Sequence, residues 1–107
     1  MAKRRILIVE DEATLRHIVK DAIEEAGYDV ITASDGAEGL QLFRQEQPHL
    51  VIADIMLPKM DGYEMVRAMR EEQSTTQYLF LSALSDSEDV VEGLLAGGND
   101  YVRKAFA

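Results

Sequence analysis

Short, uninterrupted apolar runs, each stopped abruptly by an acid or a hydroxyl residue, constrain this chain more than any other feature. Ile6-Leu7-Ile8-Val9 runs straight into Glu10-Asp11-Glu12, Leu50-Val51-Ile52-Ala53 into Asp54, and Leu79-Phe80-Leu81 into Ser82. Runs this short and without alternation suit strands covered on both faces. Between them the apolar period changes to that of a helix. Leu15, Ile18, Val19, Ala22, Ile23 and Ala26 share one helical stripe, and Gly27 stands where a left-handed stop belongs. Asp29 to Ala33 reads as another strand, and Ser34-Asp35-Gly36 as turn and cap. Ala37, Leu40, Phe43 and Gln47 trace a second helix ended by Pro48. The stretch Ile55 to Asp61, with Pro58, is a loop. Gly62 opens a third helix that carries Met65, Val66 and Met69 inward. Asp86 or Ser87 caps a fourth helix built on Val90, Val91, Leu94 and Leu95 and ended by Gly97-Gly98, and Tyr101-Val102-Arg103 forms a short fifth strand before Lys104.

Strands and helices that alternate with short connections imply right-handed crossovers and a parallel sheet covered on both faces. In such a sheet Glu10, Asp11, Asp54, Ser82 and Lys104 all fall at the carboxyl edge, where open α/β sheets bind ligands at the reversal of strand order. For the order 2-1-3-4-5 that reversal lies between the first and third strands, which brings Glu10-Asp11 beside Asp54. Carboxylates gathered there repel one another unless a cation intervenes. An oxygen-only donor set with water completing the shell suits Mg²⁺. A hydroxyl at Ser82 and an ammonium at Lys104 facing a metal-bound carboxylate make a receptacle for a phosphoryl group. Asp54 is then the nucleophile of an acyl phosphate, with metal and lysine offsetting the charge that develops on phosphorus-bound oxygens.

Composition removes the main alternatives. The chain of 107 residues has the length of one domain, and it carries 20 acidic against 11 basic residues, a formal charge of −9. Such a surface repels phosphate backbones and anionic lipid, so the chain is not expected to bind nucleic acid or membranes directly. Cysteine is absent, which excludes thiolate metal sites and cysteine nucleophiles. No signal peptide and no apolar run of membrane-spanning length is present, so a soluble cytoplasmic domain is expected. His17 and His49 read as solvated, and Met60, Met65 and Met69 as packing. Met56 and Leu84 stand at the mouth of the expected site, where they are expected to hinder a hydrolytic water.

The residues Ile6 to Glu12, Asp54 to Gly62 (Asp-Ile-Met-Leu-Pro-Lys-Met-Asp-Gly), Leu81-Ser82-Ala83 and Asp100 to Lys104 together resemble the receiver domain of two-component response regulators, from about Arg5 to Phe106. The resemblance implies an α/β, flavodoxin-like, doubly wound five-stranded parallel sheet of order 2-1-3-4-5 spanning residues 1–107. It implies that Asp54 accepts a phosphoryl group from a phosphohistidine of a sensor histidine kinase or phosphotransfer protein. It further implies that Asp11, Asp54 and the Met56 backbone carbonyl ligate Mg²⁺ while Glu10 acts through water. Ser82 and Lys104 would hold the phosphoryl oxygens, and Ser82 with Tyr101 would form the switch. A receiver catalyses only its own phosphorylation and dephosphorylation and is not an enzyme toward outside substrates.

Two departures from the family pattern set further expectations. The usual Lys-Pro is Lys104-Ala105 here, and a cis bond before a non-proline costs about 2.5–4 kcal/mol. A trans bond and weaker phosphoryl coordination are expected. The usual C-terminal fifth helix is missing, as in a truncated receiver. An uncovered sheet face, or the region of the fourth helix and fifth strand, is therefore expected to pair two copies. These departures also define an alternative, a phosphorylation-deficient binding module. An aspartyl phosphohydrolase is disfavoured because Met56 stands where its general-acid aspartate would be. A mononucleotide binder is disfavoured because no glycine-rich loop follows the first strand.

Overall fold

The computed structural model describes residues 4–54, 57, 59–72 and 75–81. Within them the chain runs β1 (Arg5–Val9), α1 (Ala13–Glu25), β2 (Asp29–Ala33), α2 (Gly36–Glu46), β3 (Leu50–Asp54), α3 (Gly62–Glu72) and β4 (Gln77–Leu81). The strands form a parallel sheet of order β2-β1-β3-β4. The expected fourth helix and fifth strand lie outside the described residues.

Because successive side chains on a strand point to opposite faces, each apolar run feeds two cores. Ile6, Ile8, Leu50 and Ile52 face α1 and meet Val19, Ala22 and Ile23. Leu7, Val9, Val51 and Ala53 face the other way and meet Leu40 and Phe43 of α2 and Met65, Val66 and Met69 of α3. This is the doubly wound, flavodoxin-like α/β arrangement. β1 and β3 are central and fully enclosed, so each of their buried isoleucines and leucines contributes roughly 1.5–3 kcal/mol of transfer free energy.

The helix ends have local causes. At the end of α1, Gly27 takes φ +102°, its N–H donates to the Glu24 carbonyl and the N–H of Tyr28 to that of Ile23, the pairing of a Schellman stop. Asp35 caps α2 by accepting from the Glu38 N–H at 2.8 Å, while the Glu38 carboxylate reaches back to the Ser34 N–H at 2.7 Å. Asp61 does the same for α3, accepting from the Glu64 N–H at 2.9 Å.

Three details differ from expectation. Ala37 and Gln47 are exposed, and the inward stripe of α2 is Gly36, Gly39, Leu40 and Phe43. Two glycines are buried there because the helix lies too close for a side chain. A Cβ on Gly39 would stand 2.9 Å from a Val9 methyl and 3.0 Å from the Met65 sulfur. Gln47 is instead the left-handed C-cap, with φ 47°. β4 begins at Gln77, two residues before its apolar run, because backbone pairing with Leu50 extends the strand.

Candidate functional site: an acidic cup at the carboxyl edge

The register of the two central strands builds the site. Val9 pairs with Ala53, so the chain leaves β1 at Glu10 beside the last residue of β3, Asp54. Asp11 follows in the junction to α1. The carboxylates of Glu10, Asp11 and Asp54 each offer an oxygen, and these oxygens lie within 4.8 Å of one another. Two fully charged carboxylates at such a spacing repel by roughly 3–4 kcal/mol at an effective dielectric of ~20.

The three acids sit in different surroundings. Asp11 is exposed and Asp54 half-buried, whereas Glu10 is only 2 % exposed. Burial, a hydrogen bond shared with Asp54 and the charges of Asp54 and Asp11 push the Glu10 carboxyl up to about 8. At neutral pH, with no cation bound, Glu10 therefore keeps its proton. Even so, its Oε2 is buried without a hydrogen-bond partner among the described residues. A buried orphan oxygen next to two further carboxylates is costly unless something binds there. The donor set fits a hard divalent cation such as Mg²⁺: oxygen ligands only, with an exposed side open to water.

Two contacts brace the loops around the cup. Nη1 of Arg16 donates to the Glu10 carbonyl at 2.8 Å and approaches that of Asp11 at 3.5 Å. Across the site, the segment after Asp54 is pinned to the start of α2. Lys59, at φ 69°, places Nζ 3.3 Å from the Asp35 carboxylate, and a Cβ on Gly36 would stand 2.7 Å from the Met60 carbonyl oxygen. The hydrogen bond from the Glu38 N–H, with Lys59 adding to it, holds the Asp35 carboxyl below its ordinary range.

Of the residues expected at the site, Glu10, Asp11 and Asp54 are brought together. Met56, Ser82, Leu84, Tyr101, Lys104 and the Lys104-Ala105 bond lie outside the described residues. His17 is exposed and pairs with Asp21 one turn on, 3.4 Å away. His49 is also exposed, yet its Nδ1 accepts from the Arg5 N–H at 3.0 Å, far from the acids at the opposite edge. Met65 and Met69 are fully buried and Met60 partly so, as packing residues.

The profile of the response regulator receiver domain matches residues 6–107. The chain belongs to that family. Among its relatives, the probable transcriptional regulator ycf27 of Porphyridium aerugineum is 44% identical over 107 residues, all of this chain and 44% of that protein. The alkaline phosphatase synthesis transcriptional regulatory protein PhoP of Bacillus subtilis is 40% identical over 104 residues, 97% of this chain and 43% of that protein. The receiver domain thus spans less than half the length of these relatives. Among solved structures, the chemotaxis protein CheY4 of Vibrio cholerae superposes with a TM-score of 0.75 at 33% identity, covering 90% of this chain and 82% of that one. Among the described residues of the receiver, no helix is long and apolar enough to cross a membrane.

Arg16, Gly36 and Lys59 were not foreseen from the sequence. An arginine five residues past an acid pair, or a glycine after a capping aspartate, carries no signal until the fold shows what lies opposite.

Proposed function

We propose that this receiver is a phosphorylation-controlled signalling switch in which Asp54 accepts a phosphoryl group from a histidine kinase or phosphotransfer protein. One observation carries the reading: a buried Glu10, one oxygen of which has no partner among the described residues, gathered with Asp11 and Asp54 at the ends of the two central strands. Glu10, Asp11 and Asp54, with the Met56 backbone carbonyl, would hold Mg²⁺, which when bound supplies positive charge for the phosphoryl oxygens. An Asp54 carboxylate oxygen attacks phosphorus as the P–N bond to the donor imidazole breaks, and the leaving nitrogen takes up a proton. Ser82 and Lys104 would bind the transferred group, and Ser82 with Tyr101 would relay its arrival to the surface.

The domain acts as a control element rather than a turnover enzyme, since Met56 stands two residues after Asp54, where an aspartyl phosphohydrolase needs its general-acid aspartate. Its relatives' names make transcription the output in proteins of this kind. With a charge of −9 this chain itself would not contact DNA. The reading places it in the cytoplasm and allows two copies to pair through the region of the fourth helix and fifth strand.

Incubation with Mg²⁺ and acetyl phosphate tests this. The expected result is a single phosphate adduct mapped to Asp54, absent in Asp54→Asn and absent with EDTA. An unmodified wild-type protein would favour the binding-only alternative that Lys104-Ala105 raises, and steady phosphate release would favour a hydrolase.

A further inference from the structure

Arg16 lies near the start of α1 but directs its guanidinium backward, across the junction between β1 and the helix. The two carbonyls it meets, at 2.8 and 3.5 Å, belong to Glu10 and Asp11, the residues whose carboxylates form one side of the cup. That junction lacks the usual means of support. Glu12 occupies the N-cap position of α1 but makes no side-chain capping hydrogen bond, in contrast to Asp35 on α2. The first turn of α1 contains no acidic residue either. The junction is tied on the strand side by the Glu10 N–H, which donates to Ala33 O at 3.0 Å, and on the helix side by Arg16.

A carbonyl held in place fixes its peptide plane, and with it the direction in which the neighbouring Cα–Cβ bonds leave the chain. We propose that Arg16 is a positioning residue for the acidic cup: it holds the Glu10–Asp11 backbone so that both carboxylates meet Asp54 around a bound divalent cation. This inference rests on the cation reading of the cup given above. Arg16 suits the task because one nitrogen, Nη1, held in a rigid guanidinium plane at the end of a long side chain, reaches both carbonyls, which a lysine ammonium on its shorter, flexible stem does not reproduce.

The sign of the effect separates this role from a purely electrostatic one. As a nearby positive charge, Arg16 would repel a cation, and removing it would tighten binding. As a clamp, its removal loosens binding, by about tenfold if it behaves as outer-shell partners of metal ligands generally do.

The test is calorimetric titration of Mg²⁺ into wild type, Arg16→Met, Arg16→Lys and Lys20→Met, each first shown by circular dichroism to melt cooperatively. Lys20→Met removes the same charge from the same helix, where Lys20 pairs with Glu24 at 3.0 Å. Expected are an affinity loss of about tenfold for Arg16→Met, a comparable loss for Arg16→Lys, and no loss for Lys20→Met. At saturating Mg²⁺ the rate of labelling by acetyl phosphate returns to the wild-type value in Arg16→Met, which a general loss of structure would not allow. Unchanged or tighter binding by Arg16→Met overturns the proposal, and so does full rescue by Arg16→Lys. If Arg16→Met does not fold, Arg16→Lys decides alone. A wild-type chain that takes up no Mg²⁺ overturns the cation reading as well, a result distinct from normal binding by wild type and variant alike.

Discussion

The two edges of the sheet are built from the same four strands and treat their polar groups in opposite ways. At the amino edge, among the described residues, Arg5, His49, Thr76 and Gln77 all find complements, although the Tyr78 hydroxyl nearby is buried without one. Arg5 pairs with Glu46 at 3.0 Å, its N–H donates to Nδ1 of His49, and the His49 N–H returns a bond to Arg5 O. The buried Thr76 hydroxyl donates to Pro48 O at 3.1 Å, and the Gln77 N–H to His49 O at 3.0 Å. At the carboxyl edge, among the described residues, three acids are gathered, one of them keeps its proton at neutral pH, and one buried oxygen has no partner. The amino edge shows that this fold can satisfy its strand ends. The crowding at the other edge is therefore a property of the residues placed there, and protonation of Glu10 relieves part of it.

The contrast predicts that substitutions at the two edges trade stability and function in opposite directions. The largest effect is expected for Asp54→Asn: complete loss of acetyl phosphate labelling by mass spectrometry, together with a higher melting temperature in EDTA, because one repelling charge is gone. A lower melting temperature would mean that the acids are not in mutual conflict.

The second effect is on pH. Glu10 has an ordinary value of 4.5 and is raised to about 8 in the fold, so the folded state binds more protons across that interval. Stability of the metal-free protein contributed by this group is therefore fully present below 4.5 and is lost as pH rises through about 8. Thermal melts in EDTA from pH 5 to pH 9 should fall with pH relative to Glu10→Gln, and saturating Mg²⁺ should restore the high-pH end.

A smaller effect is expected where the cup is braced. Gly36→Ala pushes a methyl into the Met60 carbonyl, which must move, and costs about 1–3 kcal/mol in urea unfolding. The smallest belongs to the quiet edge. Thr76→Val leaves Pro48 O without its donor and costs about 1 kcal/mol, with phosphorylation and Mg²⁺ binding unchanged. A change in labelling rate there would break the contrast.

The parts legible in the sequence were those with a local cause. β1 and β3 announce themselves because a strand covered on both faces must be apolar throughout and must end where a polar residue begins. That sharp end is also what places Glu10 and Asp54 at the edge, so the acids of the site were readable from the same signal as the fold. Gly27 and Asp35 were readable because backbone geometry at helix ends restricts residue type. What escaped depends on what lies across space. The burial of Gly36 and Gly39 follows from the approach of Met60 and Val9, and the early start of β4 follows from pairing with Leu50. Exposed His49 looks idle in the sequence because its partner, the Arg5 N–H, lies 44 residues earlier.

Gln47 deserves a last consideration as the residue that turns the chain out of α2 with φ 47°. A side chain in the left-handed region is strained by roughly 1–2 kcal/mol, and glycine would remove most of that. The position is exposed and at the edge away from the acids, so the scaffold has a place where toughness can be increased without disturbing signalling. Durability of this domain is adjustable at a site remote from its acidic cup.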